Sequence, residues 1–364
     1  MNEDVYYQLR KFLDKKPIGF PSTKEETEIE ILKRLFTEEE ARIALLLNAI
    51  PEPASRIARR GKLELDKLKS TLSEMAKKGL VFKVKRNDKT FYNSAPFMIG
   101  LYEYSVKKID KRLAELYRKY YDHAFLHELG SSNVPGFKVI PLEETIESDI
   151  VLYPYQQLEQ SIKKARSIAV TECICRKEAR ILGDGCDFPI ETCLSFGAAA
   201  EFYIENEMGR RISAEEAINI VKAADEAGLV HAGANTKHLS NLCNCCPCCC
   251  ASMKGITKFG MEKHRFLNAI FESIVSEEDC IGCGNCIDRC PVGAIEIKEF
   301  AIMDRDKCLG CGLCSTACPE QAIKIVPRDG MEEPFKRMLE LGREIMQGKL
   351  ENQRRKNRSE KKAK

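Results

Sequence analysis

The sequence predicts an α+β chain of several domains: helices closed by a hairpin at the N-terminus, a cysteine-rich α/β unit in the middle, and a small duplicated unit near the C-terminus. Three observations carry this. At 364 residues the chain exceeds what one ordinary core holds. Its 18 cysteines fall in two sets, ten between Cys173 and Cys250 and eight between Cys280 and Cys318. The second set is a repeat: Cys280, Cys283, Cys286 and Cys290 followed by Pro291, then Cys308, Cys311, Cys314 and Cys318 followed by Pro319.

Composition narrows the setting. The net charge is only +3. The N-terminus has no basic start followed by an apolar run, and no apolar stretch reaches the roughly 20 residues that span a bilayer. The expectation is a soluble cytoplasmic protein without a membrane span. In that reducing compartment disulfides are rare, so many cysteines mean metal binding or catalysis.

Residues 1–26, with Pro17, Gly19 and Pro21, read as an N-terminal arm. From Thr27, Ile29, Ile31, Leu32, Leu35 and Phe36 recur at helical spacing. Thr37 with Glu40 forms a capping box for the next helix. A short helix follows from Ala54 to Arg60, and a longer one carries Leu65, Leu68, Leu72 and Met75 up to Gly79, a C-cap glycine. The run from Leu80 to Tyr92 reads as a hairpin turning at Asn87-Asp88. Helix, helix, longer helix, hairpin resembles the order of winged-helix regulators, which implies a winged-helix-like domain over 27–104. Residues 53–90 hold twelve basic and four acidic side chains. Arg59, Lys67, Lys83, Lys85 and Arg86 are therefore candidates for binding a partner, with a protein expected and DNA the alternative.

Residues 105–165 read as a helical connector. It has a stripe of Val106, Ile109, Leu113, Leu116 and Tyr117, an acidic surface stretch over 143–148, and a helix from Gln156 after Tyr153-Pro-Tyr155. The central unit spans 166–255. A buried strand, Ser167–Thr171, runs into Cys173 and Cys175, with Cys186 and Cys193 further on. A helix capped by Ser213 and Glu216 ends at Gly228, and a loop with His231 and His238 leads to Cys243, Cys245, Cys246, Cys248, Cys249 and Cys250. Thiolates repel unless a soft metal compensates them. Four spaced thiols suffice for one site and the later six for another, and mixed sets are equally open. Arg176, beside the thiols, is placed to lower their pKa or raise a cluster potential. The pattern resembles a group of anaerobe proteins known only for binding 4Fe-4S clusters. It implies one or two further iron–sulfur clusters, with structural zinc the alternative.

Residues 256–275 read as an amphipathic linking helix through Phe266, Leu267, Ile270, Phe271 and Ile274. Residues 276–327 hold the repeated C-x2-C-x2-C-x3-C-P run, and this segment resembles the two-[4Fe-4S] bacterial-type ferredoxins. The resemblance implies a ferredoxin-like fold and single-electron transfer. It also implies one [4Fe-4S] cluster on Cys280, Cys283, Cys286 and Cys318 and a second on Cys308, Cys311, Cys314 and Cys290, the fourth cysteine of each run serving the other cluster. Gly282, Gly284, Gly310 and Gly312 leave backbone N–H groups free to approach the sulfurs. Residues 328–364 read as a helix over Pro334–Met346 and a disordered basic tail from Gly348.

No dinucleotide fingerprint, flavin motif or phosphate loop is present. The chain is expected to relay electrons to a protein redox partner, as a carrier or oxidoreductase subunit. A redox-sensing DNA-binding regulator and a catalytic central cysteine site are the alternatives.

Overall fold

The computed structural model describes residues 3–147 and 157–362. The N-terminal unit begins with α1 (Val5–Asp14), α2 (Thr27–Leu35) and α3 (Glu38–Ala44). The Thr37 hydroxyl accepts from the Glu40 N–H at 3.3 Å while the Glu40 carboxylate accepts from the Thr37 N–H at 2.9 Å, the capping box that the spacing predicts. Then come β1 (Glu52–Pro53), α4 (Ala54–Gly61), α5 (Leu65–Lys77), β2 (Val81–Arg86) and β3 (Lys89–Ser94). The sheet order is β1-β3-β2. Asn87 and Asp88 turn the hairpin at φ 45° and 59°, a conformation their short polar side chains tolerate. Leu68, Leu72 and Met75 of α5 are buried, as their stripe predicts.

Short helices α6 (Tyr102–Tyr104), α7 (Lys111–Tyr120) and α8 (Leu126–Leu129) follow. They close an aromatic cluster in which Phe97 lies 4.8 Å from Phe20, 5.4 Å from Tyr120 and 4.9 Å from Phe125. The stretch expected to be acidic surface is mixed instead: Thr145 and Ile146 are buried, and Ile146 bridges to Ile325 of the C-terminal unit. The expected Tyr153-Pro-Tyr155 segment and the start of its helix at Gln156 lie outside the described residues.

A seven-stranded sheet forms the centre. Its elements are β4 (Phe137–Val139), α9 (Leu158–Lys163), β5 (Ile168–Glu172), α10 (Ile174–Leu182), β6 (Glu191–Phe196), α11 (Ala198–Glu205), β7 (Arg210–Arg211), α12 (Ala214–Glu226), β8 (Val230–Ala234), β9 (Asn241–Cys245), α13 (Ala251–Thr257) and β10 (Leu267–Asn268). The order is β10-β4-β8-β9-β6-β5-β7, antiparallel except for β10 beside β4. Ile168, Val170, Leu194 and Leu242 share an apolar core with Ile162 of α9 and with Ala217 and Val221 of α12. Ser213 caps α12, but the Glu216 carboxylate turns to Arg210 at 2.6 Å, so only half of the expected capping box forms.

The C-terminal unit comprises β11 (Phe271–Val275), α14 (Asn285–Arg289), β12 (Ile295–Ile297), β13 (Ala301–Met303), α15 (Leu313–Thr316) and β14 (Ile323–Pro327). β11 pairs with β14, and β12 with β13. The amphipathic helix expected over 256–275 does not form. Phe266, Leu267, Ile270 and Phe271 are buried at helix-like spacing, but β10 and β11 find strand partners far along the chain, and those pairings decide the conformation. The basic tail is also corrected: α16 (Met338–Lys362) continues through it. Lys, Arg, Glu and Gln are good helix formers, and no proline interrupts them.

The three units are packed together. Tyr121 Oη donates to the Ala251 carbonyl at 2.6 Å, and Arg118 of α7 meets Glu178 of α10 at 3.0 Å. Arg289 of α14 donates to the carbonyls of Asp225 and Glu226 at 2.6 and 2.8 Å.

Leu194 and Leu242 face each other across β6 and β9, both fully buried. Leu194→Ala is expected to cost about 3 kcal/mol in anaerobic denaturant unfolding. Leu350→Ala, on a residue 55% exposed, is expected to cost less than about 0.5 kcal/mol.

Candidate metal centres

In the C-terminal unit the two cysteine runs fold into facing loops. Burial pushes the Cys286 thiol up, and the thiols of Cys280, Cys283 and Cys318 add to the effect. Cys311 is pushed up in the same way, by burial and then by Cys314, Cys308 and Cys290. Each neighbourhood thus combines three thiols of one run with the last thiol of the other. Cys280, Cys283, Cys286 and Cys318 also line one cavity together.

Backbone donors reach the sulfurs. Ala294 N–H points at Cys290 Sγ (3.2 Å), Ala301 N–H at Cys280 Sγ (3.4 Å) and Gly310 N–H at Cys308 Sγ (3.4 Å). Ser273 Oγ of β11 lies 3.3 Å from Cys314 Sγ. Gly310 sits at φ +63°, where a Cβ would stand 2.1 Å from the Phe271 carbonyl oxygen, so only glycine lets this loop lie against β11. Two sets of four thiols with N–H donors fit two [4Fe-4S] clusters in donor type and number.

The ten central thiols are sorted by the sheet. Pairing of Leu194 with Leu242 brings Cys193 beside Cys243, and Cys245 lies two residues further along β9, on the same face. Cys173 and Cys175 come from the end of β5 and the first turn of α10; Cys250 precedes α13. They perturb one another: Cys175 holds the Cys173 thiol below the ordinary cysteine range, and Cys193 and Cys245 hold Cys243 below it, while the thiols of Cys175, Cys193 and Cys245 are pushed above it. Cys175, Cys193, Cys243, Cys245 and Cys250 line a cavity of about 90 Å³. Side chains leave it room for several water-sized groups.

Sequence reasoning missed the other walls of this chamber. Glu103 lines it, accepts from Gly100 N–H at 3.0 Å, and is pushed up to about 8 by burial. Ile99 lines it too, at φ 50°, an outlier for a β-branched residue and a mark of local strain. No local pattern announces either residue, because both arrive from the N-terminal unit.

The remaining four thiols stand apart from this chamber. Cys186, from the loop after α10, meets Cys246, Cys248 and Cys249, from the loop after β9, with all four sulfurs within 4.8 Å of one another. The grouping is thus a mixed set rather than one set before residue 200 and one after 240. All eighteen thiols are free.

Arg176 is fully buried between the two central groups. Its Nη1 donates to the Asn244 carbonyl at 2.8 Å, and Nη2 to the Thr192 hydroxyl. Burial works against the guanidinium charge, yet the neighbouring Cys173 and Cys246 sulfurs hold its pKa above the ordinary value. His231, expected in the returning loop, lies in a strand instead. It is a buried residue of β8, with Nδ1 2.6 Å from Asn244 Oδ1. His238 is in the loop and exposed.

The candidate partner-binding residues divide. Lys83 and Lys85 both pair with Glu205 of α11, at 3.2 and 2.8 Å, and Lys67 lies 3.5 Å from Glu39. Arg59 and Arg86 are exposed, with no ion pair among the described residues.

Residues 273–325 match the family model described as a 4Fe-4S dicluster domain. This segment is therefore a ferredoxin-type iron–sulfur domain. No curated protein and no solved structure matches the chain. Among the described residues no helix is long and apolar enough to cross a membrane.

Arg176→Met is expected to remove most of the metal bound by the central thiols and to destabilise the chain by about 3 kcal/mol, because buried anions lose their cation. Arg176→Lys is expected to rescue poorly, since an ammonium cannot fork to both Asn244 and Thr192. Metal analysis and anaerobic unfolding check this; the electron paramagnetic resonance (EPR) signal of the dicluster domain is expected to stay unchanged.

Proposed function

We propose that the chain is an electron-transfer iron–sulfur protein that passes single electrons between a protein partner and its own central domain. The ferredoxin unit carries one [4Fe-4S] cluster on Cys280, Cys283, Cys286 and Cys318 and another on Cys308, Cys311, Cys314 and Cys290. The crossed neighbourhoods of Cys286 and Cys311 carry this assignment. A third iron–sulfur cluster belongs in the chamber lined by Cys175, Cys193, Cys243, Cys245 and Cys250, with Cys173 nearby at the end of β5. When bound, such a cluster takes up and releases one electron at a time.

Differences in exposure support an outer and an inner end of this relay. Cys283 is exposed and Ile281 beside it is 66% exposed, which supports a partner docking at the first cluster site. Cys308, Cys311 and Cys314 are buried, and Cys311 belongs to the same apolar core as Cys245. The second cluster site therefore lies on the inward side. Arg289, next to Cys290, fixes the ferredoxin unit on α12.

The helices α3 to α5 with the β1-β3-β2 sheet support a winged-helix reading of residues 27–104. Its hairpin rests on α11, with Phe82 4.8 Å from Phe202 and Lys83 and Lys85 on Glu205. That docking favours a structural or protein-binding role over DNA, because an acidic residue of the same chain already meets these cations.

Anaerobically purified full chain is expected to hold about 12 iron and 12 acid-labile sulfide, in three clusters. About 8 iron would remove the central cluster; fewer than about 4 would sink the reading from its centre. Cys318→Ser is expected to alter the same EPR signal as Cys283→Ser, and Cys290→Ser the same signal as Cys311→Ser. Specific retention on DNA at physiological salt, lost in Arg59→Glu with Arg86→Glu, would support the regulator instead.

A further inference from the structure

The quartet of Cys186, Cys246, Cys248 and Cys249 is too tight for the chemistry of the other thiols. Cys186 Sγ lies 3.9 Å from Cys246 Sγ and 3.6 Å from Cys249 Sγ, and Cys248 Sγ lies 3.6 Å from Cys249 Sγ. Four sulfurs about 2.3 Å from one central ion define a tetrahedron with edges of about 3.8 Å. These three separations, 3.6 to 3.9 Å, bracket that value, and the whole group stays within 4.8 Å. A cubane stands between its ligands with one iron per thiolate, and it holds them further apart than the 4.8 Å that contains this whole group. Neighbouring cysteines such as 248 and 249 also fit one small ion more readily than two corners of a cube.

We propose that these four cysteines bind a single tetrahedral Zn²⁺ ion, separate from the iron–sulfur sites. A closed set of four thiolates leaves no open position, so the ion is structural. The surroundings are built for it. Arg180 donates to the Cys186 carbonyl through Nε and Nη2 at 3.1 and 3.0 Å, and to the Phe188 carbonyl at 2.7 Å, which fixes the loop that presents Cys186. Cys246 and Cys249 pack against Ala179, Ala224 and Leu229, so the inner side is dry while Cys248 is exposed as a route for the ion. Four thiolates around a divalent ion leave two negative charges, and Arg176, beside Cys246, offsets one of them. The ion clamps the loop after α10 to the loop after β9. Those loops carry Cys186 on one side and lead into Cys250 of the electron-transfer chamber on the other, so the clamp holds one wall of that chamber in place.

The test is zinc and iron counted separately in the anaerobically purified full chain. One zinc per chain is expected. Cys249→Ser is expected to lower zinc occupancy at least about tenfold while the ferredoxin-domain EPR signal stays as it was. Cys248→His replaces the thiolate with an imidazole nitrogen ligand and is expected to retain the ion. If the serine variant does not fold, the unaltered protein still decides: chain grown with Co²⁺ in place of zinc is expected to show the visible ligand-field bands of tetrahedral thiolate coordination. Absence of both zinc and those bands overturns the proposal. So does zinc retained in full by a folded Cys249→Ser, or loss of four irons instead of one zinc. Zinc and iron are counted separately, so a missing zinc leaves the iron count of the relay standing, and a low iron count leaves the zinc site standing.

Discussion

The rest of the structure depends on how negative sulfur is compensated. Ten thiols crowd one region of a single sheet, and metal-bound thiolates are anions in a medium that screens poorly. Arg176 answers this from the inside. Its guanidinium is fully buried, anchored on Asn244 and Thr192, and shared between the two groups of central thiols. Asn244 is anchored in turn, donating to the Thr192 carbonyl at 2.6 Å while its own oxygen meets His231. Strands β6, β8 and β9 thus hold a cation as firmly as they hold the sulfurs. The ferredoxin unit solves the same problem with the backbone N–H groups of Ala294, Ala301 and Gly310, which point at sulfurs.

The dicluster domain was legible in the sequence because its ligand spacing is local. Three thiols two residues apart wrap one corner of a loop, and the pattern states itself. The grouping of the central thiols was not legible, because the sheet decides it. Cys193 and Cys243 are fifty residues apart in the chain and neighbours only through strand pairing. The same cause hid β10 and β11. Phe266, Leu267, Ile270 and Phe271 have the spacing of a helix face, and nothing local reveals that β4 and β14 are waiting for them. The tail erred the other way: lack of a core-forming stripe suggested disorder, yet its residues are strong helix formers with a docking surface at hand. The excess of positive charge over 53–90 was counted correctly and read without its partners, since Glu205 lies in another unit.

Packing between the units also explains why the chamber has walls that no motif marks. Ile99 and Glu103 belong to the N-terminal unit, yet they line a cavity whose thiols come from the centre. Tyr121 holds the start of α13 through the Ala251 carbonyl, one residue after Cys250. The N-terminal unit therefore helps to shape the central site, and a strained Ile99 is tolerated where surrounding contacts hold it in place.

The last helix carries a consequence of its own. α16 leaves the ferredoxin unit and crosses back to α8, where Lys349 meets Glu128 and Asn352 donates to the Ser131 carbonyl at 3.0 Å. Glu128 also accepts from the Gly19 N–H at 2.6 Å, so one carboxylate joins three stretches remote in sequence. The ferredoxin unit is stitched in on both sides, by β10 paired with β4 just before the chain enters it and by α16 beyond where the chain leaves. A redox module on a loose tether can swing to meet its acceptor. This one is tied to the other units on two sides, so in the proposed relay the spacing between the ferredoxin sites and the central thiols is set when the chain folds, and gating falls to the partner's arrival and departure.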